Sequence, residues 1–137
     1  MSCVLRAIGT SFDVDAFLKD SELKADPAFH RGEPKLPGRS EGPKRAASGF
    51  NVGVGEADSD DLAAQIRDAT EFLNEHEGEL RRLASFPGVE EVCLDFVIRR
   101  QDVAAQSDLF PADLLWRAGA LDIDLVVTHV TIAEEVH

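Results

Sequence analysis

The sequence predicts an α+β domain. Three observations carry that reading. Several short segments alternate apolar and polar residues with a period of two. One long segment repeats apolar residues every three or four positions. The two kinds interleave along 137 residues, a length that fits one domain, 1–137.

The elements follow in order. "CVLRAIGT" (3–10) reads as a first strand. Asp13 can cap a short helix with Val14, Phe17 and Leu18 on one side. Pro27 disfavours helix at Asp26, so that helix frays across "KDSELKADP". A short strand ends near Phe29 and His30. From Arg31 to Gly49, seven glycines and prolines leave little room for regular structure and predict a long loop. In "GFNVGVGE", Phe50, Val52 and Val54 alternate with Asn51, Gly53 and Gly55, the pattern of a half-buried strand. These glycines match neither phosphate-binding spacing and suit a close backbone approach or a bend.

The longest element is a helix over about 60–86. Leu62, Ile66, Ala69, Leu73, His76, Leu80 and Leu83 fall on one stripe. Asp58 or Ser59 can cap it, and Asp60 and Asp61 suit its positive end. Arg67–Glu71 and Glu77–Arg81 are spaced as i,i+4 pairs. Phe86-Pro87-Gly88 stops the helix. "EEVCLDFVIRR" then gives a strand with Val92, Leu94, Phe96 and Ile98 on one face. "FPADLLWRAG" gives a short helix opened by Pro111 and closed by Gly119. "IDLVVTHVTI" gives a last strand before a loose tail, "AEEVH". The order is β-α-β-β-α-β with an appended helix and strand. It predicts a split β-α-β, ferredoxin-like sandwich whose first and fourth strands are antiparallel neighbours. Cys3 and Cys93 then start those strands at opposite ends, too far apart for a disulfide, and read as two reduced, buried thiols.

Composition bounds the function. Hydrophobic residues at 44% and charged residues at 29% suit a packed core. No run approaches the roughly 18 apolar residues of a membrane span. The first residues lead straight into a strand without the pattern of a signal peptide, so the expected compartment is the cytoplasm. A net charge of −12 disfavours nucleic acid and anionic membrane as partners and favours a basic protein.

One stretch opposes that field. "FHRGEPKLPGRSEGPKRAASGF" (29–50) carries Arg31, Lys35, Arg39, Lys44 and Arg45 against Glu33 and Glu41. It is net +3, which leaves −15 on the remainder. These five basic residues are the candidate binding residues. A solvated connection is the first reading. Docking on acidic surface, of a partner, of the same domain or of a second copy in a homodimer, is the next. Nucleic acid is the weakest, because no aromatic residue lies between Arg31 and Gly49 to stack on bases.

Other constellations lead to simpler explanations. His76 falls on an apolar stripe and lacks the second histidine of a zinc helix. His129 has no partner that spacing can identify. "EADSDD" (56–61) fails the calcium-loop template and suits helix capping. Asp122 and Asp124 share a strand face, and Asp95 could join them around a divalent metal, but solvation at a strand end accounts for them. No catalytic residue, metal or cofactor is predicted.

Three segments together carry a resemblance: "LRAIGTSFDVDAFL", "FHRGEP", and "LDFVIRR" with "FPADLLWRAGALDIDLVV". They resemble a large bacterial family of small domains of unknown function, some of whose members are immunity proteins of polymorphic toxin systems. Phe50 stands where that pattern has a tryptophan. The resemblance implies an α+β fold and supplies no catalytic residues. The expected function is a non-enzymatic binding protein, of immunity type, for a basic protein. A small enzyme or ligand-binding domain is the alternative.

Overall fold

The computed structural model describes residues 3–36, 38 and 41–131. Arg39 and the tail "AEEVH" lie outside the described residues. The described chain is a mixed α+β fold. It runs β1 (Val4–Gly9), α1 (Val14–Lys19), β2 (Ala28–Phe29), β3 (Ser48–Gly53), α2 (Leu62–Glu75), α3 (Glu77–Ala84), β4 (Glu91–Arg99), α4 (Ala112–Ala120) and β5 (Asp124–Val130). The strands form one sheet in the order β2-β3-β1-β4-β5. β1 is antiparallel to both β3 and β4, β2 is antiparallel to β3, and β5 is parallel to β4.

Alternation along the strands decides which face is buried. Leu5 and Ala7 of β1, Phe50 and Val52 of β3, and Leu94, Phe96 and Ile98 of β4 point one way. They meet Phe17, Ala69, Leu73, Leu80, Leu83, Leu114 and Ala118 from the helices in one core. The helices therefore form a single layer on one face of the sheet. No helix among the described residues is long and apolar enough to cross a membrane.

The long predicted helix is two helices. The break falls at His76, whose ψ of 22° leaves the helical range. Its ring sits 4.7 Å from Phe72 and its Nδ1 lies 2.6 Å from Glu22, so a side-chain contact pulls on the chain at the point where Gly78 weakens the next turn. The stripe is also rotated. Fully buried Gln65 takes the place expected for Leu62 and Ile66, which are only half-buried. Gln65 Nε2 donates to the carbonyls of Asp58 and Val97, tying the approach to α2 onto β4. This also moves the cap. The Asp58 carbonyl and the Ser59 carbonyl, which accepts from Arg99 N–H, are engaged elsewhere, and Asp61 caps α2 by accepting from Ala64 N–H. Of the two expected helix ion pairs, Glu77–Arg81 forms at 2.9 Å. Arg67 and Glu71 stay exposed and do not form the other.

The described flanks of 31–49, residues 31–36 and 41–49, are also more regular than their glycines and prolines imply. They extend the β2–β3 pair as a ladder. Gly32 N–H donates to Arg45 O, Arg45 N–H to Glu33 O, and Lys35 N–H to Pro43 O, with a bridge between Pro34 and Lys44. Proline lacks a donor but keeps its acceptor, which is all that Pro43 supplies.

Four phenylalanines join α1, β3 and the end of α3. Phe12, Phe17, Phe50 and Phe86 cluster with centroids 5.2–6.2 Å apart, Phe17 and Phe50 stacked and the other pairs edge-on or tilted. Arg82 lies 4.0 Å over Phe17 and donates to the Phe17 carbonyl. Two turns press together beneath this cluster. Gly88 has φ +89°, and a Cβ there would stand 2.4 Å from Ser11 O. A Cβ on Gly9 would stand 1.8 Å from Gly88 O.

Phe17→Ala should cost about 3–5 kcal/mol of unfolding free energy. Gly88→Ala should cost at least about 1–3 kcal/mol, because it adds positive-φ strain to a clash with backbone. Urea unfolding measures both. Losses below about 1 kcal/mol would show that neither contact holds the fold.

Candidate functional site

Four of the five basic candidates, Arg31, Lys35, Lys44 and Arg45, belong to the β2–β3 ribbon, which grows from the sheet edge opposite β5. Arg31 begins it, with its N–H donating to Ser48 Oγ at 2.8 Å. Arg45 lies on the opposite strand of the ladder, and its guanidinium stacks 4.2 Å over the Phe29 ring. The π-face takes up part of its charge and fixes its direction. Lys35 and Lys44 are exposed near the Pro34–Lys44 bridge. Arg39 lies outside the described residues. The structure therefore brings Arg31, Lys35, Lys44 and Arg45 onto one ribbon. Phe29, Glu33, Pro34, Lys35, Leu36 and Arg45 help line an open hollow of about 280 Å³ on it.

A histidine that the sequence reading passed over anchors this ribbon. His30 Nε2 lies 3.0 Å from Asp15 of α1, and its Nδ1 lies 3.0 Å from Glu33. Glu33 also accepts from the His30 backbone N–H. The hydrogen bonds to Asp15 and then Glu33 raise the His30 pKa above its ordinary 6.5. The His30 backbone and side-chain bonds lower Glu33 below its ordinary 4.5. A sequence signal existed in part. His30 and Glu33 sit three apart in a turn, but Asp15 joins them only through the fold.

The other residues singled out from the sequence lie elsewhere in the fold. His76 is held between Phe72 and Glu22. His129 Nε2 lies 3.3 Å from Asp108. Asp95 accepts from Thr128 Oγ1 at 2.7 Å and faces Arg6 at 3.5 Å. Asp124 sits beside Cys93 in the register and Asp122 is in the preceding turn with φ +58°, so the three aspartates do not converge. Among the described residues no group of three His, Cys, Asp or Glu is placed to hold a metal. Cys3 and Cys93 are buried free thiols, and burial pushes both pKa values up, away from the reactive thiolate.

Acidic residues crowd α2 and its flanks, although Asp60, Glu77 and Glu79 are ion-paired with Arg99, Arg81 and Arg82. Residues 56–80 hold nine Asp and Glu against Arg67 alone. Asp61 is used as a cap, and Asp68 packs against Gly55, where φ is +81° and a Cβ would stand 2.2 Å from the carboxylate. Glu71 and Glu75 point outward. The chain matches no protein-family model, no curated protein and no solved structure.

The bridge at His30 has a defined pH window. The raised His30 pKa contributes stability that is full below 6.5 and lost as pH rises through the raised value. The lowered Glu33 pKa contributes stability that is full above 4.5 and lost as pH falls through the lowered value. The ribbon is thus held best between those two ordinary values. In an NMR titration the His30 imidazole should have its midpoint above 6.5, and Asp15→Asn with Glu33→Gln should return it to about 6.5. An unshifted midpoint in the unmodified chain would refute the bridge.

Proposed function

We propose that the chain is a non-enzymatic binding protein, of immunity type, whose acidic α2 face engages a basic protein partner. The local charge of 56–80 is the observation that carries this reading. An acidic face of this density steers a basic partner and speeds the encounter. The basic ribbon does not neutralise it. Arg45 is stacked on Phe29 at the sheet edge, and Glu33 is held by His30. The first four strands are read as a ferredoxin-like split β-α-β, supported by the order β2-β3-β1-β4 and its antiparallel pairing. Two free buried thiols fit a cytoplasmic setting.

The ligand-binding alternative places a pocket between the sheet and the long loop, where Phe29, Glu33, Pro34, Lys35, Leu36 and Arg45 help line the open hollow of about 280 Å³. That volume lies just under the roughly 300–1,000 Å³ of small-molecule sites, and the hollow is open to solvent where such sites are enclosed.

The test is binding to the product of the neighbouring gene, followed by calorimetry at about 50 and 500 mM salt. Glu71→Lys with Glu75→Lys should weaken the complex at least about tenfold, and high salt should do the same. Arg31→Glu on the ribbon should leave it intact. A complex indifferent to both salt and charge reversal would rule the reading out.

A further inference from the structure

Among the described residues β5 pairs only with β4, so its outer edge has no partner strand. One hydrogen bond shows what that edge presents. Arg100 N–H donates to Val130 O at 2.8 Å, so Val130 turns its backbone groups inward. Backbone groups alternate along a strand. Val126 and Thr128 therefore also face β4, while Leu125, Val127 and His129 aim N–H and C=O outward. Monomeric proteins guard such edges with lysine, proline or a bulge. From Leu125 to Val130 the chain has no Lys, Arg, Asp, Glu or Pro.

The helix above is bare on the same side. α4 buries Leu114 and Ala118, and Arg117 donates to Asn74 Oδ1, which turns that flank toward α2. Leu115 lies on the opposite flank by helical spacing and is 47% exposed. Val127, on the helix side of β5, is 39% exposed.

We propose that β5 pairs with β5 of a second copy, antiparallel about a two-fold axis at Val127, joining two sheets into one. This register sets Val127 opposite its own copy and Leu125 opposite His129. All three pairs consist of outward-facing residues, so the edge closes with about six backbone hydrogen bonds. The axis keeps both helix layers on the same side, and the two Leu115 side chains cover the paired valines. Charge favours the antiparallel sense. It brings Asp122 and Asp124, at the start of one β5, toward Arg100, just past the end of the other chain's β4, and toward Arg99, which also pairs with Asp60 of its own chain at 3.7 Å, and does so twice. A parallel copy would set Asp124 against Asp124. The inference does not depend on the acidic-face reading.

Light scattering with sedimentation, at about 10 and 200 μM, tests it by mass action. The unmodified chain should reach twice its chain mass. Val127→Lys sets two ammonium groups face to face and should return it to a single chain mass with unchanged circular dichroism. Leu115→Glu lies outside the ladder and should do the same if the lysine variant fails to fold. Hydrogen exchange at Leu125, Val127 and His129 should slow only in the dimer, while Val126 and Thr128 stay slow throughout. A chain that stays single at the higher concentration overturns the proposal. That includes a chain that dimerises only after residues 132–137 are deleted, since its own tail would then occupy the edge. A dimer that ignores both substitutions overturns it as well.

Discussion

The fold depends on one crowded contact, where the β1–α1 turn meets the α3–β4 turn beneath four phenylalanines. Gly9 and Gly88 approach so closely that neither tolerates a side chain. Phe12, Phe17, Phe50 and half-buried Phe86 fill the space above, the three buried rings each adding roughly 1.5–3 kcal/mol by burial. This contact fixes where β4 enters beside β1. The β1–β4 register then sets the height of β5, and α4 has to cross above it. Arg82 closes the cluster by spending its charge three ways, on Glu79, on the Phe17 carbonyl and on the Phe17 ring. Its partner Glu79 also accepts from Glu22 N–H, so the segment after α1 is held to α3.

The architecture was legible wherever one side chain dominates its position. Phe50, Val52 and Val54 alternate as a strand because each faces the core, and Val92, Leu94, Phe96 and Ile98 do so for the same reason. The helix stripe was legible from Ala69 onward but not before it. Gln65 is a polar residue in a core position, and only the carbonyls of Asp58 and Val97 explain it. Hydrophobic period carries no information about such a partner. The break at His76 was hidden likewise, because the carboxylate that draws the histidine comes from Glu22, more than fifty residues earlier.

The basic stretch was legible in charge and not in form. Seven glycines and prolines argued against regular structure, yet Pro43 and Pro34 need supply only acceptors or a bridge position in the ladder. Arg45 read as free charge, and the structure spends it on Phe29. The residue that governs the ribbon, His30, stood in the quoted segment but offered no pattern. Its second carboxylate, Asp15, belongs to a different element.

Charge and the open edge bear on each other. Two chains of net −12 repel, but at physiological salt only charges within about 8 Å of the contact matter. Of the outward-facing residues of β5, Leu125 and Val127 are apolar and His129 lies 3.3 Å from Asp108, so the middle of the edge is a place where an acidic protein can meet its own copy. A two-fold axis normal to the sheet would leave both α2 helices on the same side of the joined sheet. Two acidic faces would then address one basic partner or two. Where the partner's geometry lets both engage, the second contact forms at the effective concentration set by the first. On these two proposals the β5 edge and the acidic residues of α2 would serve separate contacts on opposite flanks of α4, which packs against both α2 and β5.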